Sequence, residues 1–204
     1  MPQPDHPELT LEKLRQTASR IEKYVNLTPI HHWQDPWVVD QVGDGELYLK
    51  LEFLQQTGSF KARGALNNTL TRVKADRNQG VTAVSAGNHA IAVAYAAKTL
   101  GISAKVLMHR KANPFRISKC QHYGAEVVLV DDITRAFALL EEIAESEDRI
   151  IIHPFDSAPT LQGTGTLGVE IGDALLNLDT ILVAVGGGGL IGGVASALKQ
   201  LQPT

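Results

Sequence analysis

The chain has 204 residues, 44% hydrophobic and 20% charged, with 19 Lys and Arg against 22 Asp and Glu, a formal net charge of -3. This composition suits one globular domain or two small ones, and gives no electrostatic reason to expect nucleic acid or an anionic membrane as partner. The single cysteine, Cys120, excludes an intramolecular disulfide and reads as a small packed residue near a helix end.

Residues 1–8 lack the basic start and apolar core of a signal peptide, and no apolar run approaches the length of a membrane span. The expectation is a soluble, cytoplasmic protein. Residues 10–25 predict an amphipathic helix, with Leu11, Leu14, Ala18, Ile21 and Val25 at helical spacing and Thr10 as N-cap. Pro29, Pro36 and Asp44-Gly45 mark residues 26–45 as loop with at most a short strand, and residues 46–53 read as a strand. The pattern then alternates. Strands are predicted at 81–84, 104–108, 125–130, 150–152 and 180–185, and helices at 89–100, 114–123, 133–145, 160–176 and 190–201. The strands are near-continuous Val, Ile and Leu runs, as buried parallel strands require. The predicted class is α/β, parallel sheets with helices on both faces. In such an alternation another strand would follow the helix at 190–201.

Three segments carry chemistry. Gly186, Gly187, Gly188 and Gly189, followed by Leu190, stand between a predicted strand and a predicted helix. Without Cβ atoms this backbone can aim several N–H groups at one anion, and the helix dipole adds to them. Gly187, Gly189 and Gly192 also match G-x-G-x-x-G, which keeps a dinucleotide site and a nicotinamide-dependent oxidoreductase open as an alternative. The run from Thr57 to Ala65 sets Lys61 between Gly58 and Gly64 with Phe60 beside it. A lysine in a partly apolar setting has its pKa lowered toward the neutral amine that Schiff-base chemistry needs. Ser85, Ala86, Gly87, Asn88 and His89 follow a strand and open a helix, where backbone N–H groups and the Ser85 hydroxyl could receive a carboxylate. An ordinary N-cap explains this segment about as well, and His89 reads as structural rather than as a base.

In this order the three segments resemble the fold-type II pyridoxal-phosphate (PLP) enzymes, the threonine/serine dehydratase and serine racemase group. Lys50-Leu51-Glu52, Gly124-Ala125-Glu126 and His153-Pro154-Phe155-Asp156 carry the same resemblance, which extends from about Leu27 to the end of the chain. It implies a tryptophan-synthase-β-like architecture. Residues 1–78 and 158–204 would form a large PLP-binding domain, incomplete at its C-terminus, and 79–157 a small domain that moves when substrate binds. Lys61 would be the Schiff-base lysine and move protons at the substrate Cα. Phe60 would pack on the pyridine ring, Asn88 would bond the ring hydroxyl, and Gly186–Leu190 would hold the phosphate. Ser85–His89 would receive the amino-acid carboxylate. The implied reaction is β-elimination of L-threonine or L-serine to a 2-keto acid and ammonia, in a cytoplasmic enzyme, as a homodimer, with no metal among these residues. A racemase or a β-substituting synthase is the alternative on the same fold. Serine racemases carry a serine where this chain has Ala86, which argues for elimination. Thr164 stands where these families usually have glutamine. The part that usually follows supplies the partner of the pyridine nitrogen, so the 204-residue chain alone is expected to be poorly active or an inactive fragment.

Overall fold

The computed structural model describes residues 6–74 and 79–203. The domain boundary expected at residue 78, and residues 1–5, lie outside them. Helix α1 (Leu11–Ile21) is capped by the Thr10 hydroxyl, which accepts from the Lys13 N–H, and it buries Leu14, Thr17 and Ile21. The predicted continuation to residue 25 tightens instead into a 3-10 turn, Glu22–Tyr24. Strands β1 (Ile30–His32) and β2 (Tyr48–Lys50) pair antiparallel, Ile30 opposite Lys50. Between them runs a helix that the sequence reading took for loop, α2 (Pro36–Val42). Pro36 lies in the first turn, where its missing N–H is no loss, and Asp35 accepts from the Trp37 N–H. The strand expected over 46–53 is shortened to three residues by another 3-10 turn, Glu52–Leu54.

Helix α3 (Lys61–Arg72) was not predicted either. It buries Arg63, Asn67, Asn68 and Thr69 alongside Ala62, Ala65 and Leu66, so no apolar stripe betrays it. Most of these polar groups have partners, the Asn68 Oδ1 being the exception among the described residues. Asn67 donates to the Pro159 carbonyl at 2.7 Å, and Asn68 to the hydroxyls of Ser157 and Thr160 at 2.9 and 2.8 Å. Arg63, fully buried, donates to both carboxylate oxygens of Glu52 and of Glu170 at 2.5–3.0 Å. Lys50 completes the cluster, 2.6 Å from Glu170 and 2.7 Å from the Thr28 carbonyl. Two cations and two carboxylates thus join β2, the turn after it, α3 and the later helix that carries Glu170, each charge satisfied by hydrogen bonds.

Four parallel strands follow, β3 (Val81–Val84), β4 (Ala104–His109), β5 (Glu126–Val130) and β6 (Ile150–Ile151), in the order β5-β4-β3-β6. Helices α4 (Asn88–Leu100) and α5 (Pro114–His122) cover one face and α6 (Ile133–Ser146) the other. Helix α4 is largely buried and rich in alanine, which lets it lie close to both the sheet and α3. Parallel pairing with helices on both faces bears out the predicted class.

Helix α7 (Ala158–Ala174) runs between α3 and α8 (Gly189–Leu201). The approach is so close that a Cβ on Gly163 would lie 2.5 Å from the Arg63 carbonyl oxygen, and one on Gly168 2.7 Å from that of Val194. The strand predicted at 180–185 is absent: these residues are irregular, and Leu182 and Val185 stand exposed. An apolar run becomes a strand only beside a neighbour that takes its hydrogen bonds, and among the described residues none flanks it. No helix among them is long and apolar enough to cross a membrane, and they hold no cluster of three metal-binding side chains.

Candidate active site

The strand order fixes where a ligand can sit. From β3 the chain winds outward through α4 to β4 and through α5 to β5; α6 then returns it across the opposite face to β6, on the other side of β3. The crevice at a sheet's C-terminal edge opens where the winding reverses, here between β3 and β6. The loop after β3 is Ser85–Gly87, running into Asn88 and His89 of α4; the loop after β6 holds His153, Pro154 and Phe155.

Lys61 is the first residue of α3, and its ammonium donates to the Pro154 carbonyl at 2.6 Å. It lies 5.1 Å from the centre of the Phe60 ring. The side chain is half-buried, and desolvation holds its pKa below the ordinary lysine value. One residue further along, Phe155 packs on the glycine loop, where a Cβ on Gly187 would fall on the Phe155 ring and one on Gly189 would lie 2.8 Å from its Cα. Adjacent residues of one loop therefore touch the lysine and the glycines. Gly188 has φ +85°, a left-handed conformation that only glycine adopts without strain, and it turns the chain into α8. No side chain caps α8, so the N–H groups of its first turn stay free for an anion. Gly186 and Gly187 are exposed.

On the β3 side, the Ser85 hydroxyl accepts from the Gly87 N–H at 3.1 Å, folding the loop on itself, and Asn88 is exposed at the start of α4. Arg116 of α5 lies alongside, 3.4 Å from the Ala86 carbonyl. His89 is buried, and its Nε2 meets the Ile152 carbonyl at 2.7 Å. A carbonyl only accepts, so Nε2 carries the proton. Burial above all, with the nearby charge of Lys61, pushes the His89 pKa down to about 4. It is a neutral strut between the two loops of the crevice.

Phe60 and Leu190 also line an apolar cavity of about 390 Å³ between β2, α7 and residues 178–184, but Lys61 and Ser85–His89 do not reach it. Two of the residues expected at the cofactor thus face this cavity rather than the crevice between β3 and β6. The strand that a dinucleotide fingerprint needs before its first glycine is missing among the described residues, and Gly192 lies inside α8.

The family pattern described as pyridoxal-phosphate dependent enzyme matches residues 21–204. The chain belongs to that family. Among curated relatives of these PLP-dependent enzymes, a phenylserine dehydratase from Ralstonia pickettii is 45% identical over 185 residues, 91% of this chain and 56% of that protein. An L-threonine ammonia-lyase from Thermotoga maritima is 39% identical over 96% of this chain and 48% of its own length. The structure of maize serine racemase superposes with a TM-score of 0.90 at 34% identity, over 96% of this chain and 59% of that one. The chain thus spans about half the length of the curated relatives it matches.

The residues present fit PLP on their own chemistry. A partly desolvated lysine suits an aldehyde, uncapped helical N–H groups suit a phosphate, and the buried Ser59 hydroxyl, two residues from Lys61, has no partner among the described residues. Sequence reasoning assigned no task to Pro154 and Phe155 or to Arg63. The signal for the first two was their place directly after a parallel strand. For Arg63 it was a charge inside an otherwise small and apolar run.

Proposed function

We propose that this chain is the cofactor-holding part of a PLP-dependent lyase. It would remove the β-hydroxyl of L-threonine or L-serine and release a 2-keto acid and ammonia. The observation that carries the reading is the meeting of Lys61 and the glycine loop on Pro154 and Phe155, at the crevice where the winding reverses. When bound, PLP supplies an electron sink for the Cα–H bond. Lys61 would hold the cofactor at its aldehyde group and would hold or return the proton at Cα. Phe60 would pack on the ring and Asn88 would donate to its hydroxyl. The N–H groups of Gly186–Leu190 bind the phosphate. Ser85–His89 receive the substrate carboxylate, and Arg116 adds positive charge beside them. Ala86 carries only a methyl group, with no proton to give on the second face of Cα, and this supports elimination over racemisation. Residues 79–157 act as the small domain that closes on substrate, against a larger unit of 1–78 and 158–204. The same reading makes the enzyme a cytoplasmic homodimer, which sedimentation and cell fractionation would check.

The test is absorbance of the chain mixed with PLP, before and after borohydride, with Lys61→Ala as control. A visible band that reduces to an adduct mapped to Lys61, followed by 2-keto acid formation from threonine or serine, is the expected result. No band, or the same adduct in Lys61→Ala, would overturn it.

A further inference from the structure

Thr164 stands in the middle of α7, 2% exposed, and its hydroxyl reaches across to the Gly189 carbonyl of α8 at 2.7 Å. Its other neighbour, the Leu161 carbonyl one turn back on its own helix, is 3.0 Å away. A hydroxyl has one proton, and the shorter bond is the one between helices. Gly189 is the first residue of α8 and directly follows the left-handed Gly188. The contact is built tightly, since a Cβ on Gly193, one turn along α8, would strike the Thr164 oxygen. On its other side α7 meets the helix that begins with Lys61, at the close approach of Gly163 to Arg63 and Gly64.

From this geometry we infer that Thr164 is a positioning residue, fixing the first turn of α8 so that the N–H groups of the glycine loop converge on a phosphate. The inference rests on the reading of that loop as the phosphate site. Thr164 touches no ligand. It acts by holding the Gly189 peptide, and through it the direction of the neighbouring N–H groups, in one orientation relative to α7 and so to Lys61. Donors fixed in advance bind an anion without being ordered by it, whereas a loose turn must be ordered at the moment of binding.

The experiment compares the affinities of PLP and of pyridoxal, which lacks the phosphate, for the unsubstituted chain, Thr164→Val and Thr164→Ser. Valine keeps the shape and removes the hydroxyl, and serine keeps the hydroxyl. Loss of one such bond predicts PLP binding roughly five- to tenfold weaker in Thr164→Val, with pyridoxal binding unchanged and Thr164→Ser close to the unsubstituted chain. Faster amide hydrogen exchange at residues 188–192 in the valine variant alone is the accompanying expectation. Equal PLP affinity in the unsubstituted chain and Thr164→Val overturns the inference. So does an equal loss of both compounds, which would mean that Thr164 only supports the fold. If the unsubstituted chain itself shows no preference for PLP over pyridoxal, the phosphate reading of the loop fails first and takes the inference with it.

Discussion

Replacing Arg63 by methionine should be among the most destabilising single changes open to this chain. The guanidinium is fully buried and makes four charge-assisted hydrogen bonds to Glu52 and Glu170, whose own side chains are only 13% and 16% exposed. Removing it leaves two carboxylates facing each other with Lys50 as the sole remaining cation of the cluster. Breaking a buried pair by deleting one partner costs about 3–5 kcal/mol. Lys50 and the partial access of water to both glutamates argue for the lower end, about 3 kcal/mol. The internal comparison is Arg15→Met, which breaks a bidentate pair to Asp173 whose side chains are 49% and 45% exposed, where a loss of about 0–1 kcal/mol is expected. Urea unfolding followed by circular dichroism measures both. With a slope of about 1–3 kcal/mol per molar, Arg63→Met should lower the midpoint by about 1 M or more, and Arg15→Met by a small fraction of that. Equal shifts in the two variants would refute the reasoning, because burial would then have contributed nothing.

Three further outcomes are expected. His89 is held neutral with its pKa near 4 in the fold against about 6.5 in the unfolded chain, so the unfolded chain binds more protons between these values. Stability should therefore fall as pH drops from about 6.5 to 4, by up to about 3 kcal/mol, and His89→Gln should flatten that slope in urea titrations at several pH values. Gly187→Ala puts a methyl group onto the Phe155 ring and should cost about 1–3 kcal/mol in thermal unfolding while weakening PLP binding tenfold or more; an unchanged PLP affinity would show that the loop can shift freely. Burial pushes the Cys120 thiol up to about 11, so iodoacetamide at pH 8 should leave it unmodified until urea unfolds the chain.

The α/β class and the parallel strands at 81–84, 104–108, 125–130 and 150–152 were legible in the sequence, because buried parallel strands leave local marks, whereas their order in the sheet was not. What escaped was set by tertiary partners. Helix α3 buries Arg63, Asn67 and Asn68 against residues 11 to 107 positions away, and no window of sequence shows where those groups find their partners. Helix α2 was hidden by Pro36, a breaker in most settings and a good residue in a first turn. The run at 180–185 has the composition of a strand, but pairing decides whether composition becomes a strand. Within the site, Lys61 and the glycines were visible as types, whereas their meeting on Pro154 and Phe155 depends on β6 lying next to β3.

The glycines of α7 divide by what they press against, and the division governs how the chain can recover from error. A methyl group at Gly165 or Gly172 would collide with the Leu14 or Leu201 side chain, and trimming that leucine offers a second-site remedy. At Gly163 and Gly168 the nearest atoms are the peptide carbonyls of Arg63 and Val194. A main-chain oxygen cannot be mutated away. A suppressor screen should return compensating changes for the first pair and none for the second.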